Sequence, residues 1–87
     1  MKKPFPQQFF YIARAQDRAL CGGVATNCGI AIRNVPIWRK PDDYEWARRF
    51  TTVDKAMGFA AQNMMFGVFI VDDRGTVFAV RDMEKVV

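Results

Sequence analysis

The residues that could do chemistry in this chain are few, and their spacing argues against most of it. Histidine is absent, which removes the commonest acid–base group and the commonest metal ligand. Cys21 and Cys28 are the two thiols, short of the four Cys/His ligands that a structural zinc ion usually takes. A disulfide across a small hairpin is open to them, because Gly22 and Gly29 would let the backbones approach. Reduced thiols are nevertheless the default in cytosol. Four of the nine carboxylates form two adjacent pairs, Asp42–Asp43 and Asp72–Asp73. Both pairs stand in turn-like contexts, where an Asp side chain accepts hydrogen bonds from nearby backbone amides. No phosphate-binding loop, nucleophile elbow or paired-carboxylate motif occurs. The expectation is a chain that is not an enzyme, with no catalytic residue, metal or cofactor.

What remains is surface chemistry. Trp38-Arg39-Lys40, Tyr44-Glu45-Trp46 and Arg48-Arg49 bring two tryptophans, a tyrosine and four cations into a dozen residues. Trp, Tyr and Arg are the types that anchor protein interfaces. Aromatics interleaved with cations also suit single-stranded nucleic acid. The plainest reading is that Trp38 and Trp46 fill the core beneath a solvated rim of Arg and Lys. A protein interface comes next, and nucleic acid last, because Asp42, Asp43 and Glu45 would repel phosphate.

These residues must be positioned by the elements around them. Thr51-Thr52-Val53-Asp54 fits a helix start, with Thr51 as N-cap and Asp54 at the positive helix end. At about 100° per residue, Val53, Ala56, Met57, Ala60 and Met64 share one side of that helix, and Gly67 is the expected stop. Phe59 falls off the stripe, between Lys55 and Asn63. It is expected either under the Trp38–Trp46 segment or exposed in an aromatic–basic patch with Lys55, Arg48 and Arg49. The candidate partner-binding set is therefore Trp38, Arg39, Lys40, Trp46, Arg48, Arg49, Lys55 and Phe59.

After Gly67 the period changes to two. Val68 to Val71 and Thr76 to Val80 read as strands around an Asp73-Arg74-Gly75 turn, with glycine in the left-handed position. Strict alternation puts Val68, Ile70, Phe78 and Val80 under the helix and Phe69, Val71, Val77 and Ala79 on the other face. One helix covers only one apolar face. The second face is expected to be covered by the N-terminal half or by another copy of the chain, which makes a homodimer through Phe69, Val71, Val77 and Ala79 the favoured expectation.

Upstream, Phe9 to Ala15 reads as a strand and Gln16-Asp17-Arg18 as a turn. Ala19 to Asn34 stays ambiguous, broken by Gly22-Gly23 and Asn27-Cys28-Gly29. Gly29 to Arg33 and Val35 to Trp38 suggest a second strand or an interrupted long one, with Pro36 favouring an edge or a bulge. Tyr44 to Ala47 suits one helical turn. The expected fold is α+β, a small antiparallel sheet of ββαββ type packed on one main helix. It forms a single domain over residues 1–87, with 1–8 a loosely ordered arm.

The segment DDYEWARRFTTVDKAMGFA resembles a passage of small phage- and prophage-encoded accessory proteins that links an N-terminal hairpin to a helix. The hairpin FIVDDRGTVFAV is similar to those of small phage-encoded inhibitors, anti-CRISPR proteins among them. The resemblance spans Asp42 to Val80. It implies a ββαββ-like fold and a phage or mobile-element origin, and it carries over no functional residue.

Composition sets the outer bounds. Of 87 residues, 51% are hydrophobic and 25% charged, with a net charge of +4, which suits a small folded domain. Apolar runs are too short for a membrane span of about 20 residues. Lys2-Lys3 is followed by Pro4, Pro6 and Gln7-Gln8 without the apolar core of a signal peptide. The cytoplasm is the expected location (a host cytoplasm for a phage protein). The expected function is a non-catalytic module that binds a host protein and blocks its surface; the alternative is a nucleic-acid-binding accessory protein using Trp38 to Arg49.

Overall fold

The computed structural model describes residues 8–28 and 32–81. In chain order it contains strands β1 (Phe10–Arg14), β2 (Leu20–Cys28) and β3 (Ile32–Arg39), helix α1 (Val53–Gln62), then strands β4 (Val68–Asp72) and β5 (Val77–Arg81). The strands form one antiparallel sheet in the order β3-β2-β1-β4-β5. The α+β class is as the sequence implies, but three strands precede the helix. Most of the ambiguous stretch is β2: Gly22 and Gly23 lie inside it, and the register slips between Cys21 and Gly23, so Gly22 is the extra residue of a bulge while Gly23 pairs with Ile37. The expected arm falls almost wholly outside the described residues, as do Gly29 to Ala31 of the expected second strand.

Both faces of the sheet are covered. On one face α1 lays Ala56 and Ala60 over Ile12, Cys21, Val68 and Ile70, with Phe10, Trp38, Phe50 and Met57 closing the margin. On the other, Tyr11, Ala13, Leu20 and Val71 are buried beneath Phe9, Tyr44 and Ala47. A single connection supplies cover to both. Residues 41–47 run across the tyrosine face in short turns, Asp43 N–H donating to Lys40 O and Trp46 N–H to Asp43 O. The chain then wedges between β1 and β2, which pair only at Ala13 and Leu20. Arg48 N–H donates to Cys21 O, and Phe50 exchanges two 2.8 Å hydrogen bonds with Phe10. It emerges on the helix face at Phe50, whose ring packs on Phe59 at 5.3 Å.

The helix starts one residue later than expected and ends earlier. Thr52, not Thr51, is the N-cap, accepting from Lys55 N–H at 3.1 Å. At the far end Met65 N–H donates to Ala60 O and Met64 N–H to Ala61 O. These are the paired bonds of a Schellman stop. The residue at its left-handed position is Met64, with φ 54°. Glycine would sit there without steric cost, so the stop at Gly67 is three residues too late. Met64 consequently leaves the apolar stripe and is 73% exposed, while Met65 is buried in its place.

The second hairpin turns as its sequence implies. Asp72 N–H donates to Thr76 O, Gly75 has φ 82°, and Asp72 Oδ1 accepts from the amides of Arg74 and Thr76 at 2.9 Å each. A bulge, however, breaks the strict alternation. Val71 pairs with Val77 and Ile70 with Ala79, leaving Phe78 as the extra residue. Ala79 therefore packs with the helix-side core, while Val80 lies across from Phe69 on the opposite face. The expected faces exchange these two residues.

Candidate interaction surface

The feature that organises the surface is where the arginines go. Six of them lie over aromatic rings: Arg14 on Trp38 at 4.7 Å, Arg18 on Phe69, Arg39 on Trp46, Arg48 on both Phe50 and Phe59, Arg49 on Phe9 at 4.6 Å, and Arg81 on Phe66 at 4.6 Å. Within about 6 Å of a ring centroid a guanidinium is attracted by the ring quadrupole, and arginine over aromatic is the recurrent contact of this surface. Ion pairs are sparse by comparison. Among the described residues only Arg14–Asp17 at 2.8 Å and Arg39–Asp43 at 3.6 Å qualify. A guanidinium over a ring face can keep N–H donors for another acceptor.

The expected partner-binding residues divide between the two faces. On the helix side, Arg48 stands 4.8 Å from the Phe59 ring and 5.6 Å from Phe50. Lys55 lies one turn before Phe59, its Nζ donating to Thr51 Oγ1 at 3.2 Å. Phe59 itself is half-buried, with Phe50 and Arg48 against its ring. Trp38 is half-buried against the helix-side core, and its ring is covered by Arg14. On the tyrosine side, Arg39 stacks on Trp46, which is 63% exposed, and Arg49 stacks on Phe9. Lys40 is exposed beside them. The connection through the sheet thus separates Arg48 from Arg49, which sequence adjacency had joined in one patch.

The expected self-association set is also divided. Val71 is buried within the chain, Phe69 is half-covered beneath Arg18, and Ala79 faces the helix side. What stays exposed along β5 is Val77, Phe78 and Val80, although Phe78 rests edge-on against Phe10 at 5.2 Å. Sequence reasoning missed the stacking partners Arg14, Arg18, Phe50 and Phe66, and the exposed Val35, Ile37 and Met64. The edge position of β3 that exposes Val35 and Ile37 has one sequence signal, Pro36.

An open groove of about 440 Å³ runs between β3 and the end of α1, lined by Asn34, Val35, Pro36, Gln62, Asn63 and Met64. Asn34 Nδ2 donates to Asn63 Oδ1 across it at 3.3 Å. Its lining carries no charge.

The titratable groups fit structural roles. Burial pushes the Asp72 carboxyl up, but amide hydrogen bonds from Thr76 and Arg74, with help from the Gln8 side chain, outweigh it and hold the pKa below the ordinary value. The hydrogen bond from Arg14 holds Asp17 at about 2. Cys21 is a buried free thiol donating to Gly23 O, and burial raises its pKa, the opposite of what a reactive cysteine needs. Burial also raises Tyr11 and Tyr44, whose rings meet edge to face at 4.9 Å. Among the described residues no group of three or more Cys, Asp or Glu side chains could hold a metal ion. No described helix is long and apolar enough to cross a membrane. Searches with family models, curated proteins and solved structures found no match to this chain.

Proposed function

We propose that this chain is a small non-catalytic protein-binding module that acts by occupying a surface of its target, in the manner of a phage-encoded inhibitor of a host defence or regulatory protein. The observation that carries the reading is the arginine–aromatic surface: Arg48 and Arg49 are held on Phe59 and Phe9 with no carboxylate partner among the described residues. Rigid aromatic and arginine anchors are the composition of protein-interface hot spots. On this reading the protein works in the cytoplasm, a host cytoplasm if it is phage-encoded.

The alternative, nucleic-acid binding through Trp38 to Arg49, draws on the same cations. Single-stranded binding needs open aromatic faces along a continuous cationic track; Trp38 is half-buried under Arg14, and Arg48 and Arg49 stack toward opposite sides of the sheet. Association of two copies belongs to the proposal as well. The exposed Val77, Phe78 and Val80 of the edge strand β5 are its support, in place of the wider face that the sequence suggested.

The test is capture from host lysate on immobilised protein, identified by mass spectrometry, beside oligonucleotide binding titrated against salt. The expected outcome is one protein retained at physiological salt and no oligonucleotide bound. Tight oligonucleotide binding with a steep salt slope would move the function to the alternative.

A further inference from the structure

We infer that Arg48, Lys55 and the Phe50–Phe59 ring pair form a docking point for a carboxylate-bearing, partly apolar segment of the partner protein. The inference rests on the protein-binding reading and adds the chemistry of what is bound. Arg48 lies over two rings that are themselves in contact, Phe59 at 4.8 Å and Phe50 at 5.6 Å. Contact with two rings at once restricts the Arg48 side chain before any partner arrives, and a side chain already restricted loses less conformational freedom on binding. A planar guanidinium edge matches a carboxylate through two parallel hydrogen bonds. Lys55 supplies a second cation on the same side, one helical turn from Phe59, and its ammonium contacts only the neutral Thr51 hydroxyl among the described residues. The two rings supply apolar edges beside the charge, and Phe59 is half-buried, with part of its surface still open.

Charge complementarity favours an acidic protein segment over a phosphate backbone. A nucleic-acid strand needs cations along a continuous track. Here the cations are split by the sheet: Arg48 and Lys55 stand on the helix side, and Arg49, Arg39 and Arg18 on the other. Arg14 and Arg81, the other described cations toward the helix face, are engaged by Asp17 and by Met65 O. An isolated cationic pair beside apolar rings fits one or two carboxylates flanked by apolar side chains.

The probe is a fluorescein-labelled octapeptide alternating Glu and Phe, read by anisotropy and by amide chemical-shift mapping, with a Gln-for-Glu peptide and a twelve-residue oligo-dT alongside. The expected result is binding of the Glu peptide alone, with shifts centred on Arg48, Lys55 and Phe59. Arg48→Ala should weaken it about tenfold or more. Arg48→Lys, which keeps the charge and the fold but loses the planar fork, should weaken it several-fold. Arg74→Ala, at an exposed turn arginine, should leave it unchanged. Equal binding of the Gln peptide, shifts elsewhere, no binding at millimolar peptide, or preference for oligo-dT would each overturn the inference. Lysate capture separates the two levels. A partner retained equally by wild type and Arg48→Lys keeps the module and removes this docking point; the absence of any protein partner removes both.

Discussion

The two hairpins of this protein are built from similar strands and stand in opposite situations. The β4–β5 hairpin is short, and β4 is held between β1 and β5, with Val68 and Ile70 buried under the helix and Val71 buried on the opposite, tyrosine face. The β2–β3 hairpin is longer, but β2 meets β1 at a single register pair near its start. Beyond that point the connection through Arg48 to Phe50 fills the gap, and the rest of the hairpin extends outward with Ala25, Thr26, Val35 and Ile37 exposed. Apolar content therefore does not decide which hairpin is core. Attachment does, because a strand is buried only where it has neighbours across both its edges or above its faces.

The two outer edges differ in the same way. β3 carries Pro36, which lacks a backbone donor and blunts edge-to-edge pairing. β5 has no proline or charge between Val77 and Val80. Its protection comes from the bulge opposite Val71 and from Arg81, which turns back to donate to Met65 O at 2.8 Å and stack on Phe66. Exposed valines on the less protected edge make β5 the side to test for the proposed association of two copies.

The largest test of this contrast is a truncation in the anchored hairpin. Ile70→Ala removes a fully buried side chain between α1 and β1 and should cost about 2–5 kcal/mol in denaturant unfolding. A loss below 1 kcal/mol would mean that β4 is not the centre of the core.

Next comes the turn that closes the same hairpin. Asp72→Ala removes the acceptor of the Arg74 and Thr76 amides and should cost about 1–2 kcal/mol at neutral pH. The folded-state pKa of Asp72 is lowered. Its contribution is therefore fully present above the unfolded carboxyl value of about 3.9 and is lost as pH falls through the folded value. The difference between wild type and Asp72→Ala should shrink on acidification. A difference that grows at low pH would reverse the assigned sign.

A smaller effect, of opposite direction, is expected at the helix end beside the outer hairpin. Met64→Gly should stabilise by about 0.5–1 kcal/mol, since glycine takes the left-handed conformation freely and the Met64 side chain is exposed. Destabilisation would indicate that Met64 packs on the groove lined by Asn34 and Pro36. Smallest of all, Ile37→Ala on the outer hairpin should change stability by no more than about 0.5 kcal/mol. If it matched Ile70→Ala, the outer hairpin would be as much core as the inner one.

Local chemistry was legible where it depends on a few consecutive residues. A threonine cap on α1 (off by one residue), the Asp72-to-Thr76 turn and the apolar Ala56 and Ala60 positions follow from capping geometry, turn stereochemistry and helical period, all of which act within about one turn of chain. The α+β class follows from the same signals. The candidate surface was only half legible. Aromatic and cationic residues between Trp38 and Phe59 announce a stacked surface, but pairing Arg48 with Phe59 and Arg49 with Phe9 requires knowing that the chain crosses the sheet between them.

Tertiary structure alone decided the rest, for identifiable reasons. β2 contains glycines that a sequence reader counts as breakers, and only its long pairing with β3 offsets their conformational cost. The bulge at Phe78 moved Ala79 and Val80 to opposite faces, because one extra residue inverts every position after it. Helix α1 stopped at Met64 and not at Gly67 because burying Met65 against Ala60, together with the two Schellman hydrogen bonds, outweighs the strain of a left-handed methionine. Sequence determined the α+β class, helix α1, the β4–β5 hairpin and the composition of the surface, and left β2 open. Long-range pairing determined which strand is inside, which edge is open and which arginine meets which ring, since those contacts join residues far apart in the chain.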